Sequence, residues 1–144
     1  MSRQRSKARS LAAQALYQWQ MAGQPVPDIV QQFLLEHAEK RFDRDYFRDL
    51  FEGVTGQLET VDAALAEALD RDIERVDPVE RAILRLGAYE LLRHPEIPYR
   101  VAINETVELA KTFGSEQGHR YVNGVLDKAA RSLRALEIGA TRRS

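Results

Sequence analysis

A chain of 144 residues, 44% hydrophobic and 30% charged with 5 Pro and 8 Gly, has material for one compact domain and excludes disordered, fibrous and low-complexity architectures. The absence of Cys removes disulfide frameworks, CxxC zinc sites and thiol nucleophiles and suits a reducing, cytoplasmic setting. No apolar run approaches the ~20 residues of a membrane span, and MSRQRSKARS leads into no apolar signal core, so neither insertion nor export is expected.

Periodicity is helical nearly throughout. Ala8, Leu11, Ala12, Ala15, Leu16 and Trp19 recur at three- and four-residue spacing and predict a first helix over 7–22, stopped by Gly23 and Pro25. Asp28 is placed to cap a second, ending near Lys40, with Ile29, Val30, Phe33 and Leu34 inward. Asp43 caps a third, whose stripe runs from Tyr46 through Leu65 with a break expected near 56–59, where Gly53 and Gly56 weaken the helix. Asp77-Pro78-Val79-Glu80 combines a cap, a first-turn proline and a glutamate placed to bond back to the cap amide. The helix it opens is apolar around most of its circumference and should be central, ending at His94-Pro95. Residues 101–113 predict another helix, closed by Gly114. The last is expected from about Ser115 to Glu137, with Leu133 and Leu136 inward and His119, Arg120, Lys128, Arg131 and Arg134 outward. The expected fold is therefore all-α, about seven helices in a single domain over 1–144, with flexible basic ends at 1–9 and 139–144.

The net charge of −1 conceals a segregation. Residues 1–27 carry four basic side chains and no acid, 28–80 fifteen acids against six bases, and 81–144 eleven bases against seven acids. Two cationic ends thus flank an acidic middle. Brought together they would make one positive face for a polyanion, while the acidic middle suits a basic protein. The usual catalytic words are missing: there is no GxSxG, no GxxxxGK[ST], and His37, His94 and His119 lack metal-site spacing. The Asp70–Arg75 run is interrupted by two arginines and reads as a solvated helix end, so neither metal nor cofactor is expected and catalysis is not. Asn104 and Asn123-Gly124, inside apolar stretches, read first as interhelical bonding and close helix approach.

Specific words then become legible. Arg9-Ser-Leu-Ala-Ala-Gln-Ala-Leu-Tyr-Gln-Trp-Gln20, Tyr46-Phe-Arg-Asp-Leu, Val79-Glu-Arg-Ala-Ile-Leu-Arg, Pro98-Tyr-Arg-Val-Ala-Ile-Asn-Glu, Glu108-Leu-Ala-Lys-Thr-Phe-Gly and Tyr121-Val-Asn-Gly-Val-Leu-Asp-Lys128 resemble, in order and over nearly the whole chain, the bacterial transcription antitermination factor NusB family. The C-terminal words also occur in the RNA-binding domain of an rRNA cytosine methyltransferase family, but this chain has no room for the cofactor domain that follows there. The NusB resemblance implies two small packed helical bundles without catalytic activity. It implies binding to the boxA element of nascent rRNA leader together with the ribosomal protein NusE, in an antitermination complex with RNA polymerase and other Nus factors that also supports rRNA processing. By family position it implies RNA contacts from Arg5, Lys7 and Arg9 and from Gln117, His119, Arg120 and Tyr121, and protein-partner contacts from Tyr17 and Glu80. The family includes both monomers and homodimers. Arg5-Ser-Lys-Ala-Arg9 is less arginine-dense than in many relatives, which points to weak RNA affinity without the partner. Tyr121 and Tyr17 each admit two readings, packing on their own bundle or contact with a partner. A protein-only adaptor, docking a basic partner through the acidic middle, is the competing functional class.

Overall fold

The structure, a computed structural model, describes residues 2–143, the last three in backbone only. Among these residues it holds eight α-helices, one 3-10 turn and no strand. α1 (Arg3–Ala22) begins four residues before the predicted start, because the Ser2 hydroxyl accepts from the amides of Gln4 and Arg5. The first basic turns, expected to be flexible, are therefore helical. α1 ends at Gly23, whose left-handed φ of 68° carries the closing bond from its amide to the Trp19 carbonyl. α2 (Val26–Glu36) starts at Pro25 rather than at an Asp28 cap, and Asp28 serves in the first turn, where the helix dipole favours a carboxylate. α3 (Arg44–Gly56) is capped by Asp43 as predicted, its carboxylate accepting from the Tyr46 amide at 2.9 Å.

These three helices form the first bundle, centred on Phe33, Phe42, Phe47 and Phe51, whose rings meet 5.8–6.3 Å apart. The break after α3 falls at Gln57, and α4 (Leu58–Ala66) follows. Gly53 marks no break. It lies inside α3 because the Tyr89 ring passes over it: a methyl group there would sit 2.2 Å from the ring.

A 3-10 turn (Ile73–Arg75) leads to α5 (Pro78–Arg93), capped by Asp77 and central as expected, with residues 82–91 all buried. It packs on α1 and α3 on one side and, on the other, on α4, α6 (Tyr99–Phe113) and α7 (Glu116–Leu133), which form the second bundle. Arg85 ties the two together, holding Asp62 of α4 through two 2.9 Å bonds and Gln20 of α1 through a third.

The C-terminal end departs from the prediction. The last helix breaks at Arg134, and α8 (Ala135–Arg143) continues through the segment expected to fray. Arg134, expected outward, is 5% exposed. Its guanidinium donates to the carbonyls of Leu91, Ile97 and His94 at 2.8–2.9 Å and, at 3.3 Å, to that of Glu90. Pro95 has no amide to give the Leu91 carbonyl, so the guanidinium fork supplies donors to Leu91 and Ile97 and second donors to Glu90 and His94, which already accept the amides of His94 and Ile97. The break rotates Leu136 outward to 91% exposure. Asn104, Asn123 and Gly124 also differ from expectation: all three are exposed, and Gly124 has open space where a side chain would be.

Candidate nucleic-acid interface

The structure divides the predicted RNA contacts into two groups at opposite ends of α5. α1 runs antiparallel to α5, so Arg9 meets Glu90 while Gln20 meets the Pro78 carbonyl. α7 runs parallel to α5, so its first turn lies at Glu80. Ten residues of α5, about 15 Å of helix rise, separate the groups.

At the first end Arg9 requires a correction. Its side chain is 1% exposed, and its Nε donates to both oxygens of the equally buried Glu90 at 2.9 and 3.0 Å. Its Nη1 reaches Glu105 at 3.0 Å, and Tyr46 donates its hydroxyl to Glu90. A guanidinium committed to a buried carboxylate is scaffold and has no surface to offer a phosphate. Burial, then the adjacent Glu90 charge, also pushes the Tyr46 phenol well above its ordinary range. Arg5 lies over the outside of this group, 4.4 Å from the Tyr46 ring centroid and 3.9 Å from Asp43. Lys7 is exposed. Neighbouring carboxylates therefore offset much of the N-terminal charge excess.

At the second end the Ser115 hydroxyl caps α7 by accepting from the Gly118 amide at 3.1 Å. Gln117 and Arg120 are exposed and His119 is half-buried. Tyr121 is half-buried at the margin of the core. Its hydroxyl donates to Asp70 at 3.1 Å, and the guanidinium of Arg71 lies over its ring, 4.9 Å from the centroid. Arg71 in turn donates to both Asp70 oxygens at 2.7 and 2.9 Å. Arg71, with the Tyr121 hydroxyl, holds the Asp70 carboxyl down at about 2. In the sequence these two residues read as a solvated helix end. Their signal, an arginine between acids, acquires meaning only when the fold brings Tyr121 to them across 51 positions.

Glu80 sits at the junction. It packs against the first turn of α7, where a methyl group on Gly118 would lie 3.0 Å from its carboxylate. This contact replaces the predicted return bond to the Asp77 amide, and burial raises the Glu80 carboxyl above its ordinary value. On the same turn of α5, Val79 faces a groove that it lines with Ile83, Phe33 and Phe113 and with Tyr17 and Met21 of α1. Tyr17, Met21 and Phe113 are 40%, 56% and 38% exposed. The two predicted partner residues thus flank one helical turn, Tyr17 on an apolar groove and Glu80 beside the start of α7. Among the described residues no group of three acidic or histidine side chains is placed to hold a metal, and no helix is long and apolar enough to cross a membrane.

A model of the NusB family matches residues 6–131. The chain belongs to the NusB family. A curated relative, the transcription antitermination protein NusB of Alcanivorax borkumensis, is 54% identical over 138 residues, spanning 96% of this chain and 92% of that protein. Among solved structures, the NusB of a complex of the antitermination factors NusB and NusE with dsRNA superposes with a TM-score of 0.84 at 28% identity, over 92% of this chain and 99% of that one. T. maritima NusB superposes with a TM-score of 0.78 at 31% identity, over 91% and 93%. As a NusB family member the chain is a non-catalytic transcription antitermination factor.

Proposed function

We propose that this chain, acting as a single domain over 1–144 in the cytoplasm, binds the boxA element of nascent rRNA leader together with the ribosomal protein NusE. On this reading the pair joins the antitermination complex with RNA polymerase and other Nus factors and supports rRNA transcription and processing. The observation that carries the reading is the near-complete superposition on the NusB that was solved with NusE and dsRNA, which associates the fold with both kinds of partner. The geometry supports it. Exposed Lys7 and half-exposed Arg5 at one end, and Gln117, His119, Arg120 and Tyr121 at the other, suit a strand that crosses the surface between the two groups. The groove around Tyr17, with Glu80 beside it, suits NusE, so that protein and RNA sites adjoin at the first turn of α5.

The test is binding of labelled boxA RNA and of a scrambled RNA, with and without NusE, across a salt series. Preference for boxA, strengthened by NusE, is the expected result. Equal and wholly salt-driven binding of both RNAs would leave only a basic surface, and an adaptor that docks a basic protein would then be the better reading. Sedimentation across concentration, with Tyr17→Ala as control, decides whether the groove also pairs two copies of the chain.

A further inference from the structure

We infer that Arg71, rather than Tyr121, presents the plane on which an unpaired RNA base stacks, and that Tyr121 and Asp70 are the positioning residues that hold that plane in place. The inference rests on the RNA-binding reading above and names the group that carries it at the α7 end.

A base needs an open, flat, polarisable face, and in single-strand recognition either an aromatic ring or an arginine plane supplies it. Tyr121 does not leave its face open. The ring packs at the margin of the core and the Arg71 guanidinium lies over it, 4.9 Å from its centroid. Arg71 itself is 45% exposed. A flexible surface arginine ordinarily samples many rotamers, and ordering it on binding costs affinity. Here the ordering is built in. The ring supports the guanidinium from below, Asp70 grips its Nε and one terminal nitrogen at 2.7 and 2.9 Å, and the Tyr121 hydroxyl donates at 3.1 Å to the same Asp70 Oδ1 that the Nε holds. The donors that Asp70 does not use and the outward face of the guanidinium remain for a ligand, so one residue offers a base a surface and a phosphate a charge. The partner must be anionic and carry flat unpaired rings. Exposed Arg120 on the second turn of α7 adds one more cation near Arg71, and a nucleic acid strand supplies both the flat unpaired base and the phosphate that these two arginines suit. A duplex, whose bases are already stacked, cannot use this face.

The experiment uses the full chain with NusE and a single-stranded boxA RNA carrying 2-aminopurine at one purine position at a time, with the same RNA annealed to its complement as control. Wild-type protein should shift 2-aminopurine fluorescence at one position of the single strand and at none in the duplex. Arg71→Lys keeps the charge and loses the plane. It should abolish that position's signal and weaken binding at least fivefold while keeping the salt slope. Arg71→Ala should abolish the same signal and also reduce the slope. Both variants should retain wild-type circular dichroism and NusE binding. Undiminished signal and affinity in Arg71→Lys would show that Arg71 acts as a charge alone and overturn the inference. A stronger signal in Arg71→Ala would show that Arg71 covers Tyr121 and overturn it equally. If the wild-type chain binds no single strand with or without NusE, the failure lies in the proposed function itself.

Discussion

Two groups of arginine, carboxylate and tyrosine stand near opposite ends of α5, and they share chemistry but not role. In Arg9, Glu90 and Tyr46 the carboxylate is fully buried and the phenol donates to it. In Arg71, Asp70 and Tyr121 the same three types are joined by the same kinds of bond, with the acid and the base on the surface. Burial makes the difference. Inside, neither charge can be lost without stranding the other, so the group holds α1, α3 and α5 in register. Outside, water supports each charge alone, so the group contributes little to stability and is available to bind. An arginine at a family's RNA-binding position is thus not an RNA ligand until its exposure is known.

The largest expected effect tests the buried side of this comparison. Glu90→Ala should destabilise the fold by about 3 kcal/mol in urea unfolding, because it strips the buried Arg9 guanidinium of its buried carboxylate and leaves it only the part-exposed Glu105. Asp70→Asn should leave the unfolding midpoint unchanged in the same assay. The buried guanidinium of Arg134 comes next: Arg134→Ala leaves the Leu91 and Ile97 carbonyls around the end of α5 without their donor and should cost about 3 kcal/mol. A smaller effect sharpens the comparison in binding. Lys7→Ala should reduce the log–log salt slope of RNA binding by about 0.7, the loss of one phosphate contact on a single strand. Arg9→Lys, assayed where it remains folded, should leave that slope unchanged, and a reduced slope would return Arg9 to the interface.

The smallest effect is a titration. The folded Asp70 carboxyl, near 2, lies below its ordinary 3.8, so its contribution is complete above 3.8 and is lost as pH falls through about 2. Carboxyl NMR should place its midpoint near 2 in the wild type and closer to 3.8 in Arg71→Ala.

Much of this architecture was legible in the sequence because helices announce themselves locally. Asp43, Asp77 and Gly23 mark ends through bonds to residues within four positions, and the apolar circumference of α5 follows from its own composition. The misreadings share a different cause. Family position assigns Arg9 to the RNA face and helical periodicity assigns Arg134 outward, but the partners that permit their burial lie 81 and 43 positions away. Asn123-Gly124 was read as a close helix contact, whereas nothing lies within 4 Å of the missing side chain. In the candidate interface, the basic and aromatic residues could be found by family position. Which of them face solvent, and that Arg71 joins them, depends on contacts the sequence does not encode locally.

The clip formed by Arg134 also imposes an order on how the molecule is made. The carbonyls of Leu91 and Ile97 leave the ribosome about forty residues before the side chain that satisfies them. The first bundle can close once α5 has emerged and Glu90 meets Arg9 and Tyr46. The end of the central helix, however, stays open to water until synthesis reaches Arg134, so the domain locks only with nearly all of its chain in hand, and a nascent copy truncated upstream of that residue exposes an unfinished edge for quality control to find.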